Sequence, residues 1–421
     1  MKAWKGFPKE YWMYWVASSL AGAGSNILQY LLSLYVLELT GSGTLFASML
    51  SIIVFPQILL SPFAGVAADR ASKIKMMSLI LFGEAAILIF YMLLGATIGL
   101  KLALIYVLVV LLEIGEIFYN ASAAAILPEL VPTEKIKDAV SVSRVDDGIV
   151  QVAGPMLAAV IYSNISISGA LGIVALVNFA AGILQFLIHP RYADQRPAQM
   201  VQPTILSDLK EAGRFIHKDR FIRSFIKVMP LVNAFFGATF SVGVMYLLRE
   251  QYQLNAYAYG LYCSVTASMS LIVPMLAVPL VKKYEPAHIF ATATTVIAAA
   301  IAGIAFVAFL GIQNILPVMP AVVIITLLDC CTIASAIPMQ LSSSIMIQTG
   351  VEQRMLGRVR SIIQMVSLAS VSLGEMLFGV VIDYTNVWLT ILLGAAGVAV
   401  ASLLYRKSMD AIPVGPGKEE K

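Results

Sequence analysis

Long apolar runs separated by short polar turns organise this chain from end to end. A membrane-spanning helix needs about 20 mostly apolar residues to cross about 30 Å of hydrocarbon. Runs of that kind lie near residues 12–36, 45–67, 76–98, 102–126, 139–163 and 167–188, then near 222–247, 257–281, 288–310, 315–339, 358–382 and 387–405. They are continuous rather than alternating, which argues against the short two-residue-period strands of a membrane barrel. The pattern predicts an all-α polytopic membrane protein with twelve transmembrane helices in two sets of six. The first run is too long for a signal peptide and lacks a small-residue cleavage site, so it is read as the first span.

One long polar stretch interrupts the series. Within it, ILSDLKEAGRFIHKDRFIR places Ile205, Leu209, Ala212 and Ile216 on one helical face, with Lys210, Arg214 and Lys218 off it. That spacing suits an amphipathic helix lying at the membrane surface, or a plain soluble linker helix. The expected organisation is an N-terminal six-helix bundle over 1–189, a linker over 190–221, a C-terminal six-helix bundle over 222–405 and a tail over 406–421.

Composition sharpens this picture. Of 421 residues, 59% are hydrophobic and only 12% charged, with a mean hydropathy of +0.86. Soluble chains carry about a quarter charged residues, so water is not the main solvent here. Three cysteines in apolar stretches exclude a disulfide scaffold, and three histidines make a zinc module unlikely to form, so no metal or cofactor is expected. A net charge of +4 gives no case for nucleic acid. No polar loop holds a nucleophile–base set or a metal-ligand cluster, so an enzyme is not expected. Nothing calls for more than a monomer in the bilayer.

Position gives the charges more meaning than their sum. With the N-terminus inside, 26 of the 28 Lys and Arg residues fall on the inner side, leaving only Lys101 and Arg249 outside. Basic loops stay cytoplasmic, so both termini are expected there, in a multi-pass protein of the inner (cytoplasmic) membrane.

The halves echo one another. Superposing Glu134 on Glu352, in the loops before the fifth and eleventh spans, also brings Ser143 onto Ser361. The loop after the second span reads Gly65-Val-Ala-Ala-Asp69-Arg70-Ala-Ser72-Lys73-Ile-Lys75. It resembles the loop signature of the major facilitator superfamily, with Ser72 where the family has glycine. Gly65 is expected to admit a close neighbour and Asp69 to face a helix N-terminus, with Gly357 and Arg358 at the start of the eleventh span as partner. The fifth span holds Gly154-Pro155-Met-Leu-Ala-Ala, similar to the family's antiporter signature with alanines in place of two glycines. It reads either as that element, kinking the helix and packing on the eighth span, or as an ordinary packing kink. With the LPELVP, SDLKEAGRFI and LGRVRS segments, the chain resembles the drug:H+ antiporter-3 branch, which includes macrolide efflux pumps. The resemblance implies two six-helix bundles that rock around a midplane site. It also implies an exporter, with multidrug efflux and hence antibiotic resistance as the expectation. A proton gradient as the energy source is expected from the acids within the spans rather than from the family's motif. Many such pumps carry an Arg midway along the fourth span; here the segment reads Leu112-Glu113-Ile114-Gly115-Glu116.

In place of that cation stand acids. A carboxylate at mid-bilayer costs about 2.5–3.5 kcal/mol on insertion scales, so such groups pair, face the interior or bind a proton. Glu113 and Glu116 share one face of the fourth span and are the foremost proton-coupling candidates, with the neutral packing of one of them as the alternative. Asp329 in the tenth span is their counterpart, and Glu375 lies nearer the outer end of the eleventh. Asp146 and Asp147 sit beside Arg144 in the fifth span, where a structural ion pair and a proton or substrate role are equally open. Glu84, in the normally peripheral third span, carries the least expectation. Asn26, Gln29, Tyr119, Asn120, Arg144, Asn233, Phe236 and Tyr246 are the substrate-cavity candidates. Aromatics with carboxylates suit amphiphilic, often cationic, small molecules. A siderophore, lysolipid or metal ion bound directly by the acids is the alternative cargo.

Overall fold

The computed structural model describes residues 7–192, 220–351 and 356–410. The expected surface helix of 205–218 and the tail beyond Asp410 lie outside the described residues. Every regular element among the described residues is helical. By contact density the chain divides into two compact units, Met1–Val201 with Gln253–Leu271, and Gln202–Tyr252 with Ile272–Lys421. The start of the eighth span therefore groups with the first six.

The first unit holds α1 (Lys9–Thr40), α2 (Gly43–Ile52), α3 (Val54–Arg70), α4 (Lys73–Ile98), α5 (Leu102–Leu130), α6 (Ile136–Asn164) and α7 (Ile167–Phe186). The seventh span begins the second unit with α8 (Arg220–Ala238) and continues through two π-helical segments, Thr239–Val244 and Leu247–Gln251. Then come α9 (Ala256–Lys283), whose first part belongs to the first unit, α10 (Pro286–Ile312), α11 (Val318–Gly350), α12 (Leu356–Tyr384) and α13 (Val387–Asp410). Among the described residues eleven spans are long and apolar enough to cross a bilayer, with α2 and α3 counted together as the second. The fifth, α6, completes twelve. Its apolar part is only Gly148–Asn164, because Arg144, Asp146 and Asp147 occupy the half before it.

Local chemistry explains the boundaries. Gly41 ends α1 in the left-handed region at φ 60°, its N–H bonded to the Leu37 carbonyl at 2.8 Å. Ser42 then caps α2 by accepting from the Leu45 N–H at 3.3 Å. The second span, expected to be continuous, breaks at Ile53. Pro56 three residues on lacks an N–H for the Ile52 carbonyl and its ring crowds that carbonyl. Conversely, the LPELVP segment expected as loop continues α5 through Pro128 to Leu130. The π turns of the seventh span were not legible as a hydrophobic pattern. There the Thr239 Oγ1 and Ser241 Oγ hydroxyls donate to the Phe235 and Gly237 carbonyls, at 2.6 and 3.0 Å, competing with the backbone ladder.

Packing repeats between the units. In the first, α1 lies against α6 and α7, and α4 runs along α7. In the second, α8 lies against α12 and α13, and α10 runs along α13. The seventh span thus treats the eleventh and twelfth as the first treats the fifth and sixth. Glycines set the closest approaches in the second unit: a Cβ at Gly374 would overlap the Ala234 carbonyl, and one at Gly397 the Phe235 ring.

Two apolar cores stack along the first unit. One contains Ala21, Leu81, Tyr119 and Ala181. The other contains Leu28, Leu88, Leu108 and Val174. Between those residues α1 carries Ser25 and Asn26, α4 Glu84, α5 Glu113 and Glu116, and α7 Asn178.

Candidate functional site

Between the two cores lies a cavity of about 310 Å³ with Glu84, Glu113 and Glu116 in its wall, together with Ser25, Asn26, Gln29, Gln57 and Asn178. Helical spacing gathers them. Glu113 and Glu116 are one turn apart on α5, Ser25, Asn26 and Gln29 occupy adjacent turns of α1, and Gln57 follows the break that Pro56 introduces before α3. No Lys, Arg or His is among the described lining residues, so the wall is acidic without a local counter-charge.

Each carboxyl has named donors. Gln57 Nε2 donates to Glu113 Oε1 at 2.7 Å. Asn120 Nδ2 and Ser25 Oγ donate to Glu116, at 3.0 and 3.3 Å. Asn178 Nδ2 donates to Glu84 Oε2 at 3.0 Å. Hydrogen bonds to a charged acceptor contribute about 1.5–3 kcal/mol each, enough to offset much of the cost of placing one carboxylate there.

A second cavity, of about 370 Å³, shares Ser25, Asn26 and Glu116 with the first and adds Tyr14, Tyr119, Asn120, Ser143 and Asp146. Asp146 accepts from Ser19 Oγ at 2.7 Å. Tyr119 accepts from Gln185 Nε2 at 2.7 Å through its buried hydroxyl. Glu116 is therefore the carboxyl common to both spaces.

Several expected residues meet here, namely Asn26, Gln29, Glu113, Glu116, Tyr119, Asn120 and Asp146. The side chains of Arg144 and Asp147, on α6, lie outside the described residues. The candidates of the second unit line neither cavity. There Asn233 donates to Ser367 Oγ of α12 at 2.9 Å, Phe236 packs on Phe240 with ring centroids 5.2 Å apart, and Tyr246 stands between the two π segments. Asp329 is buried on α11 and accepts from Thr332 Oγ1 at 3.0 Å, and Glu375 is buried on α12.

Glu84 corrects the expectation set for its span. It is 6% exposed and faces the cavity rather than the periphery. The signal was Gly115, between the two glutamates of α5: a Cβ there would fall 2.6 Å from Glu84 Oε1. Gln57, Asn178 and Ser25 were also missed, since a lone amide or hydroxyl in an apolar run carries no periodic mark.

The loop motif is placed in part. Lys73 at the start of α4 pairs with Glu129 at the end of α5, Nζ to Oε1 at 2.6 Å, with both side chains largely shielded. Glu129 also accepts the Tyr192 N–H at its carbonyl at 3.1 Å, tying the chain after α7 to the same point. Arg70 is exposed, and the side chains of Asp69 and Arg358, like those at Gly357, lie outside the described residues. The close approach expected at Gly65 is not seen: among the described residues a Cβ there would meet nothing within 4 Å. At the antiporter-like segment α6 is unbroken, and a Cβ at Gly154 would lie 3.3 Å from Asn26 Cβ of α1. The Pro155 side chain is outside the described residues. The expected packing on the eighth span occurs two and six residues before Gly154. Ser264 Oγ of α9 donates to the Val152 carbonyl at 2.8 Å, and Leu271 fills the notch at Gly148.

Comparison with known proteins follows the geometry. A profile of the Major Facilitator Superfamily matches residues 14–375. Macrolide efflux protein A of Streptococcus pyogenes is 24% identical over 239 residues, covering 55% of this chain and 57% of that relative. The chain therefore matches little more than half the length of that curated relative. Among solved structures, the nucleoside transporter NupG superposes with a TM-score of 0.77 at 13% identity, covering 96% of this chain and all of the other. A bacterial homologue of the iron transporter ferroportin in the inward-facing state gives 0.73 at 15%, covering 96% and 99%. At these identities the likeness carries the fold and not the cargo.

Proposed function

Because the chain belongs to the Major Facilitator Superfamily, and so is a multi-pass membrane transporter rather than an enzyme, we propose that it is a proton-coupled exporter of amphiphilic small molecules working by alternating access. The observation that carries the proposal is the meeting of Glu113 and Glu116 in one cavity wall with amide and hydroxyl donors and, among the described lining residues, no basic one. Such a wall exchanges protons readily and attracts cargo bearing a positive charge. Similarity to macrolide efflux protein A supports export and a drug-like cargo. The distribution of Lys and Arg supports cytoplasmic termini and insertion in the cytoplasmic membrane. Two six-helix halves, 1–189 and 222–405, would rock about the midplane, with the basic loop after the second span and the Gly357-Arg358 turn closing one side.

Chemically, Glu116 is the group best placed to trade a proton for cargo, since it borders both cavities. Glu113 is held by Gln57 from the second span, so its protonation state is tied to where that span sits. The test is erythromycin-driven proton flux in proteoliposomes. Flux in the wild type should fall at least tenfold in Glu113→Gln and in Glu116→Gln, while both proteins stay folded. Transport that is indifferent to pH, with both variants fully active, would sink the scheme. A second reading keeps the cavity but lets its carboxylates hold a cationic cargo directly, the proton playing no part. In that case ethidium binding should weaken in both variants with no proton movement.

A further inference from the structure

Glu84 and Asn178 form a pair that the exchange chemistry above leaves unused. Glu84 is 6% and Asn178 3% exposed, yet both border the cavity. Glycines make the room for each. Glu84 Oε1 fills the notch at Gly115 of α5, and Asn178 Oδ1 fills the notch at Gly24 of α1, where a Cβ would lie 2.9 Å from it. The pairing is incomplete in a specific way. A carboxylate can accept about four hydrogen bonds, and among the described residues Glu84 has one, from Asn178 Nδ2 at 3.0 Å. Asn178 Oδ1 is buried and has no partner among the described residues. A buried acceptor left empty calls for a donor, and a protonated Glu84 carboxyl, held against the other end of the same amide, can be one.

We propose that Glu84 is a third proton-binding carboxyl of this cavity and that Asn178 is the positioning residue that holds it in both of its states. This rests on the proton-coupled reading above. Without the proton, the Asn178 amide N–H donates to the carboxylate. With it, the Glu84 O–H donates to the Asn178 amide oxygen, which reaches the same place when the amide turns over about its terminal bond. A hydronium ion supplies the proton, an O–H bond forms on Glu84 and the carboxylate charge is cancelled; on release that bond breaks. The titratable groups facing Glu84 are Glu113 and Glu116 on α5. From α7, α1 and the second span come Asn178, Ser25, Asn26, Gln29 and Gln57, none of which titrates. The α4–α7 link thus survives a proton cycle, while its neighbours, bonded to α1 and α3, exchange with the open space.

The test is infrared difference spectroscopy of the full-length protein in liposomes across a pH step, reading the carboxylic acid C=O stretch. Glu84→Gln keeps the shape and the bond to Asn178, so a component of the acid band should vanish while Glu113 and Glu116 components remain. Asn178→Ala should keep that component but move both its frequency and its titration midpoint. Gly115→Ala, which retains every carboxyl, should move the same component and so serves if Glu84→Gln does not fold. Spectra of all three variants superimposing on wild type would overturn the proposal. Erythromycin-driven proton flux in wild-type liposomes separates the two claims. Its absence removes the coupled exporter whatever the spectra show, and its presence with a Glu84→Gln spectrum unchanged removes only the role of Glu84.

Discussion

Gly115→Ala is the sharpest probe of the cavity, because it adds one methyl group and removes nothing. Built on the α5 backbone, the new Cβ falls 2.6 Å from Glu84 Oε1 and 3.2 Å from Ile80 Cγ2. The first distance is well inside van der Waals contact, so the carboxyl must withdraw. Its side chain borders the cavity and is anchored by Asn178, so withdrawing means bending or losing that bond. Loss of that bond costs about 1.5–3 kcal/mol if the carboxyl is charged, and overpacking of this kind costs about 1–3 kcal/mol in general. Against this, Gly→Ala in a helix interior stabilises by about 1 kcal/mol. The two costs are alternatives, since a carboxyl that withdraws is no longer overpacked, so the balance is a destabilisation of up to about 2 kcal/mol, visible as a lower melting temperature of the purified protein in detergent. A double-mutant cycle isolates the cause. In a Glu84→Ala background the obstacle is gone, and Gly115→Ala should become neutral or stabilising by about 1 kcal/mol. If Gly115→Ala costs the same in both backgrounds, Glu84 is not what fills the notch.

Two further outcomes test the frame around the site. Breaking the shielded Lys73–Glu129 pair by Glu129→Ala should destabilise the first unit by about 1–3 kcal/mol, and exchanging the two residues should restore most of it; equal melting temperatures for all three proteins would show the pair to be inert. Gly374→Ala drives a Cβ into the Ala234 carbonyl, a backbone atom that cannot turn aside, so folded yield in the membrane should collapse, and wild-type yield would contradict the α8–α12 approach.

Much of the fold was legible because a bilayer allows few solutions. Helices must satisfy their own backbone groups, so run length alone located the spans, and the acids were found because charge inside such runs is costly. What stayed hidden depends on facing rather than on length. Glu84 was discounted for standing in the third span, although Gly115 in α5 already marked a space for it. Asn178 sits in the apolar run of α7 with no periodic sign of its orientation. Pro56 offered a reason to break the second span, yet the run around it looked continuous. The π turns of the seventh span coincide with hydroxyl-to-carbonyl bonds at Thr239 and Ser241, which hydropathy does not register. Gly65 is the converse case: a motif glycine was expected to meet a close neighbour, and among the described residues its space is open, the side chains at the expected partner Gly357-Arg358 lying outside them.

The repeat that relates the two units extends to packing but not to chemistry. The first and seventh spans hold the same place against their neighbours, yet α1 is a regular helix over its 32 residues whereas the seventh span passes into π turns after Ala238. Carboxyls divide the other way. Three meet in the first unit's cavity, while Asp329 is buried against Thr332 and Glu375 lies on a different helix. A cluster of acids stays useful for proton exchange only if its donors hold still through the cycle, which favours regular helices around it. A π turn instead interrupts the regular ladder and is frequently found at functional sites. If transport couples protonation to movement, the first unit is therefore the one suited to carry the proton chemistry, and the seventh span the one suited to yield. That division makes Thr239 and Ser241, and none of the first unit's acids, the place to look for variants that slow the conformational change while leaving the carboxyl infrared bands untouched.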